Sequence, residues 1–369
     1  MNNITLKGAT KFFLGANTPT GFVSYFNQIG EYKKGWNRFL IKGGPGTGKS
    51  SLMQNIVTKF KDVTNNIEMI YCSSDPSSLD GVIFNDLKIS IVDATSPHIL
   101  EPAFPGAFDE IVSLCECWNE CILKDSKNKI IELFEQNLFY RKQAANLLLS
   151  AYGLIKNNYE IIEKFIDKNI FFEYLNEFVN NESNITFSKN KNKTVGNEQK
   201  RFLSVISLNG STFYNETINE IADKVYVIKD LYGWVSGNIL LRIREKLLQN
   251  NIDIITCFCS MFSGNKIDHI LIPSMKVAFV TSNKYHEFVG DSFKIIDSNI
   301  FYNFVDAHLE KQINYNIKSI ESTINMASDF IKEAKSIHDE LEKYYIQSMN
   351  FKLVDEKTQT IINKIQNNV

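Results

Sequence analysis

Gly43-Gly44-Pro45-Gly46-Thr47-Gly48-Lys49-Ser50 has the spacing G-x-x-x-x-G-K-[ST], lying between the apolar run Phe39-Leu40-Ile41 and a helix-compatible stretch from Ser51. Glycines at this density let successive backbone N–H groups converge on one anion, and a following helix adds the positive end of its dipole. Lys49 then supplies a point charge for β- and γ-phosphates, and the Ser50 hydroxyl joins a Mg²⁺ shell. An ordinary glycine-rich turn explains neither the Lys-Ser pair nor the strand before it. The expected binding set is Gly43, Gly44, Pro45, Gly46, Thr47, Gly48, Lys49, Ser50 and Ser51, with a nucleotide as ligand.

Mg²⁺ needs a second, acidic ligand at the end of a neighbouring strand. Ile89-Ser90-Ile91-Val92-Asp93 makes Asp93 the first candidate, and Asp75, after Met69-Ile70-Tyr71-Cys72-Ser73-Ser74, is its rival. Either aspartate could instead cap a turn or a helix. Glu110 is a candidate for positioning water. His98, five residues past Asp93, is read as packing or hydrogen bonding rather than acting on phosphate. Arg141 is read as a surface residue, although a helix could carry it across a domain boundary. Cys115, Cys117 and Cys121 lack a fourth ligand for zinc and are read as small buried hydrophobes, as are Cys257 and Cys259.

The elements that must position these residues recur. Phe13-Leu14, Gly21 and Tyr25 return as Phe202-Leu203, Gly210 and Tyr214; Ile41-Lys42 and Gly46 return as Ile228-Lys229 and Gly233. Leu79-Asp80 matches Ile267-Asp268, and His98 matches His286, at nearly the same offset. Such order implies tandem duplication. Opposite the glycine loop stands Asp230–Gly237, in which Ser236 replaces the lysine and Gly237 the hydroxyl residue. Asp230 also brings a carboxylate to the place a phosphate needs, so this copy is expected to bind no nucleotide.

Each copy reads as an α/β unit followed by helices. Strands are expected at 38–42, 68–72 and 88–92, and again at 224–228, 252–258 and 276–280. Helices are expected at 50–60 and 238–248, then over about 109–180 and 306–365. The alternation favours a mostly parallel sheet. The expected domains are 1–180 and 201–369, joined by a polar linker at 181–200.

At 369 residues, two domains of about 150 to 200 residues fit the length. With 40 basic and 42 acidic residues there is no global pull toward nucleic acid or anionic lipid. No apolar run reaches the roughly 18 residues of a membrane span, and sparse cysteines argue against a disulfide framework, so a cytoplasmic protein is expected.

At Lys42–Ser50 the chain resembles the P-loop NTPase superfamily. Over nearly its whole length it is also similar to a bacterial family described as ATPases with two tandem P-loop-type domains. The resemblance is carried by Phe13-Leu14-Gly15-Ala16 with Gly21-Phe22, by Cys72-Ser73-Ser74-Asp75-Pro76 with Leu79-Asp80-Gly81, and by Val92-Asp93-Ala94-Thr95 with Pro97-His98. It implies tandem three-layer α/β/α domains, each with a helical extension, the second degenerate here. For function it implies roles for Lys49, Ser50 and Asp93 but names no substrate. The expected activity is Mg²⁺-dependent ATP hydrolysis at one loop, coupled to conformational change. Phosphotransfer to a small molecule, or a nucleotide-gated scaffold without turnover, are the alternatives. The helical extensions are expected to bind a protein partner, another copy, or each other.

Overall fold

A computed structural model describes residues 8–30, 35–182, 195–304 and 306–367. The chain forms two α/β domains, each with a mixed sheet flanked by helices. The first comprises β1 (Thr10–Phe12), a hairpin of β2 (Gly15–Thr18) and β3 (Gly21–Ser24), β4 (Asn37–Lys42), α1 (Lys49–Phe60), β5 (Ile67–Tyr71), β6 (Leu79–Phe84), β7 (Ile89–Asp93) and β8 (Asp109–Ser113). Its sheet order is β1-β5-β6-β7-β4-β8. Only β6 runs against its neighbours. Short connections impose this direction, because parallel strands need a long crossover whereas a hairpin does not. The sequence expectation of a mostly parallel sheet passed over β6, whose six residues are all buried. A buried run that short has no periodicity to announce it.

Helices α2 (Glu120–Asp125), α3 (Lys127–Phe165) and α4 (Lys168–Glu182) follow. The helical region thus starts later than expected: Asp109–Ser113 is an edge strand beside β4. The linker expected at 181–200 lies, from 183 to 194, outside the described residues. The second domain then has β9 (Glu198–Arg201), β10 (Ser204–Ser207), β11 (Gly210–Phe213), α5 (Asn215–Ile221), β12 (Lys224–Lys229), α6 (Trp234–Gln249), β13 (Ile254–Phe258), β14 (Ile267–Ile272), β15 (Val277–Ser282) and β16 (Lys294–Asp297). Its order, β16-β12-β15-β14-β13-β9, repeats the first strand for strand. Even the irregularity is repeated: the register slips at Ile70/Tyr71 in one sheet and at Cys257/Phe258 in the other. Gly21 and Gly210 both have positive φ, 106° and 85°, and both turn a hairpin that few side chains would allow.

The chain closes with α7 (Ala307–Ser348) and α8 (Phe351–Gln366). Helices α3 and α7 pack along each other. Ala144, Leu148 and Ala151 of α3 join Ile320, Ile324, Ala327 and Ile331 of α7, at the three- and four-residue steps of a coiled-coil seam. Further along, Ile337 and Leu341 of α7 meet Ile130 and Leu133 of α3, so the apolar faces of the two helices are largely used on one another. Their ends cross over. Ile166, just after α3, bridges Tyr302, just before α7, while Met349, just after α7, bridges Trp118, ahead of α3. As a result α4 packs on α6 of the second domain, and the C-terminal α8 packs on α1 of the first. The halves also share a core. Phe13 and Phe202 exchange backbone hydrogen bonds at 2.9 Å, and a buried Arg201–Glu68 ion pair joins the sheets at 3.2 Å. No helix among the described residues is long and apolar enough to cross a membrane.

Candidate functional site

Strand β4 delivers the chain into the glycine turn, and α1 leaves it at Lys49. Gly46 and Gly48 have φ of 66° and 89°, which lets the chain reverse tightly; Gly48 is the residue before α1. The Thr47 hydroxyl donates to the Gly44 carbonyl at 2.8 Å and braces the turn. Lys49 folds back over it, donating to the carbonyls of Gly43 and Gly44 at 2.9 and 2.7 Å. The same ammonium lies 3.6 Å from Asp93 at the end of β7, the strand paired with β4. Asp93 also accepts from the Thr95 N–H at 2.9 Å, and the Ser50 hydroxyl accepts from the Leu79 N–H at 3.1 Å. Pro45 lies in the turn and Ser51 continues α1. The structure thus brings Lys49, Ser50 and Asp93 to one mouth.

Asp75 faces a different neighbour. It accepts from Ser77 and lies 3.4 Å from Lys335 of α7. Glu110 points away from this group, on the edge strand β8, where it pairs with Lys364 of α8. Arg141 is turned inward: it donates to Ser74 at 3.3 Å, in the loop that holds Asp75. Of the clustered cysteines only Cys117 is buried, and Cys115 and Cys121 are exposed. No cysteine is disulfide-bonded among the described residues.

No local pattern in the sequence points to α7 covering the turn. A Cβ on Gly44 would stand 2.7 Å from the Tyr345 ring, and one on Gly46 would stand 2.9 Å from the Glu342 carbonyl oxygen. These two glycines are required by the close approach of the helix as well as by the turn. The Gly46 amide lies near enough to the Glu342 carboxylate to favour its charged form. Burial raises the Glu342 pKa, and Lys335, Gly46 and Lys49 only partly offset it. His338, one turn earlier, is held neutral: burial, with Arg141 and Lys335 nearby, lowers it to about 4. Its ring, Asp339 and Glu342 place ligand atoms within 4.8 Å of one another.

The second half shows the same device built in permanently. Asp230, 1% exposed, accepts from the Ser236 N–H at 2.8 Å, the Tyr232 N–H at 3.1 Å and the Tyr302 hydroxyl at 3.0 Å. Its carboxylate fills the turn before α6. Seven residues before the crossing bridges, α3 carries Tyr159 where α7 carries Glu342. The Tyr159 hydroxyl lies beside Gly237, and Glu342 lies beside Gly46.

His98 has the packing duty expected. Its Nε2 is 3.0 Å from Asp80, and Phe22 and Phe26 flank the ring. Burial opposes its charge, but the Asp80 carboxylate outweighs this and pushes the imidazole up to about 10. A raised folded-state pKa stabilises fully below the unfolded value near 6.5 and is lost as pH rises through about 10. His98→Gln should therefore cost about 3 kcal/mol at pH 7. Denaturant titrations of parent and variant should converge above pH 10; a pH-independent difference would contradict the pair.

Comparisons with protein-family models, with curated proteins and with solved structures find no match to this chain.

Proposed function

We propose that the chain binds Mg-ATP at Gly43–Ser50 and hydrolyses it, as a P-loop NTPase with one working and one degenerate site. The observation that carries this reading is Lys49 set 3.6 Å from Asp93 over a glycine turn whose Gly46 amide favours the charged form of a nearby carboxylate. An amide N–H that favours a carboxylate favours a phosphate oxygen for the same electrostatic reason. On binding, Lys49 exchanges the Gly43 and Gly44 carbonyls for phosphate oxygens. Ser50 and Asp93, a hydroxyl and a carboxylate at one mouth, fit a divalent ion bound with the nucleotide, which neutralises phosphate charge when present. Glu342 must leave Gly46 as phosphate enters, so α7 carries the response.

The reading is tested by incubating the purified chain with radiolabelled ATP, with and without a metabolite extract, and separating all labelled products. Inorganic phosphate alone is expected. A labelled metabolite would replace hydrolysis by phosphotransfer, and intact bound ATP would make the chain a nucleotide-gated scaffold.

Asp93 and Asp75 separate by mutation. Asp93→Asn should abolish turnover, while Asp75→Asn, which removes a partner of Lys335, should retain it. The opposite pattern would move the metal ligand to Asp75.

The filled turn at Asp230 sets the stoichiometry at one nucleotide per chain. Calorimetric titration with a non-hydrolysable analogue should give a single site, and two specific sites would refute the degenerate reading.

A further inference from the structure

In the second domain a cavity of about 110 Å³ lies between the filled turn, β10 and the α3–α7 seam. Its walls are mostly apolar, from Ile206, Met261 and Phe262 on one side and Ile317, Ile320 and Ile324 of α7 on the other. Its polar end holds Lys266, Asp268, Asn283 and His286. Asp268 is 1% exposed, and its Oδ1 takes Lys266 Nζ at 2.5 Å. The other oxygen, Oδ2, has no hydrogen-bond partner.

The neighbour of Oδ2 cannot supply one. His286 Nε2 is 3.7 Å away, and burial keeps this ring neutral. Its single proton lies on Nδ1, which donates to the Thr281 carbonyl at 3.0 Å. Nε2 is then bare and accepts from Asn283 at 3.4 Å. An acceptor therefore faces an ionised acceptor, a costly arrangement in a buried site. Lys266 pairs with Asp268, and Lys284, also in the wall, is taken up by Glu321 at 2.9 Å.

We propose that this cavity is a binding site for a compact primary ammonium with a short apolar body. The ammonium donates to Asp268 Oδ2, and the apolar body lies against Met261 and Ile320. Apolar cavities of about 150 Å³ hold benzene, so about five or six non-hydrogen atoms fit here. An anion of the same shape would set a second acceptor against Asp268 Oδ2. The cavity shares α7 with the glycine turn, so occupancy of either bears on one helix.

The test uses the full chain with ¹³C-methyl methionine and isopentylammonium as probe. Saturable movement of the Met261 methyl resonance is expected, with isovalerate binding at least tenfold more weakly. Asp268→Asn should weaken the amine at least tenfold. If that variant does not fold, Ile320→Phe, which fills the cavity and keeps the ion pair, should do the same. An unmoved Met261 signal, isovalerate binding as tightly as the amine, or undiminished binding to folded Ile320→Phe would each overturn the proposal.

Discussion

Lys49→Ala should lower Mg-ATP affinity at least tenfold, about 1.4 kcal/mol or more, and abolish turnover. The lysine is the one cation in the turn, and its present partners are two carbonyls and Asp93, all within 3.6 Å. Neutral carbonyls hold an ammonium less strongly than phosphate does, so exchange toward nucleotide is downhill. The variant should fold, because α1 is anchored by Leu52, Met53, Ile56 and Val57 on its buried face rather than by Lys49. Calorimetry on folded protein decides the matter, and an unchanged affinity would remove Gly43–Ser50 from the function.

Replacing Glu342 should act in the other direction. Its carboxylate lies beside the Gly46 amide and would repel an incoming phosphate, so Glu342→Gln should tighten Mg-ATP binding about five- to thirtyfold, or about 1–2 kcal/mol, the scale of an anion at a helix N-terminus. The pH dependence follows from the raised pKa. Ionised Glu342 is held at a cost, and a group with a raised folded-state pKa stabilises below its unfolded value and loses that contribution as pH rises. Glu342→Gln should therefore be at least as stable as the parent at pH 7. Affinity that stays the same or falls would show that Glu342 does not compete, and α7 would lose its proposed response to nucleotide.

The two halves differ in where the competing carboxylate originates. Asp230 belongs to its own turn, is buried, and has three donors, so its site is closed. Glu342 comes from a helix of the opposite half and lies near Lys335, Lys49 and the Gly46 amide. A carboxylate thus stands at both turns, held by three donors in one and brought by a distant helix in the other.

Much of this was legible from the sequence, and the reason is locality. The glycine turn, the strand before it, the helix after it and the place of Asp93 at the end of the adjacent strand all depend on residues close in the chain. So does the duplication, because a copied order of residues survives where Ser236 and Gly237 replace the lysine and the hydroxyl residue. The carboxylate that the sequence brings to the second turn at Asp230 is seated there. What only the tertiary structure decided depends on distant segments. The antiparallel β6 hid because a buried six-residue run has no period. The crossing of α4 and α8 onto the opposite domains hid because an amphipathic helix specifies that a face is covered, not what covers it. Glu342 lies 296 residues from Gly46 in the chain, and no local pattern links a helical glutamate to a turn that far away. Sequence determined the glycine turn and its lysine; the helix exchange decided which distant carboxylate lies beside them.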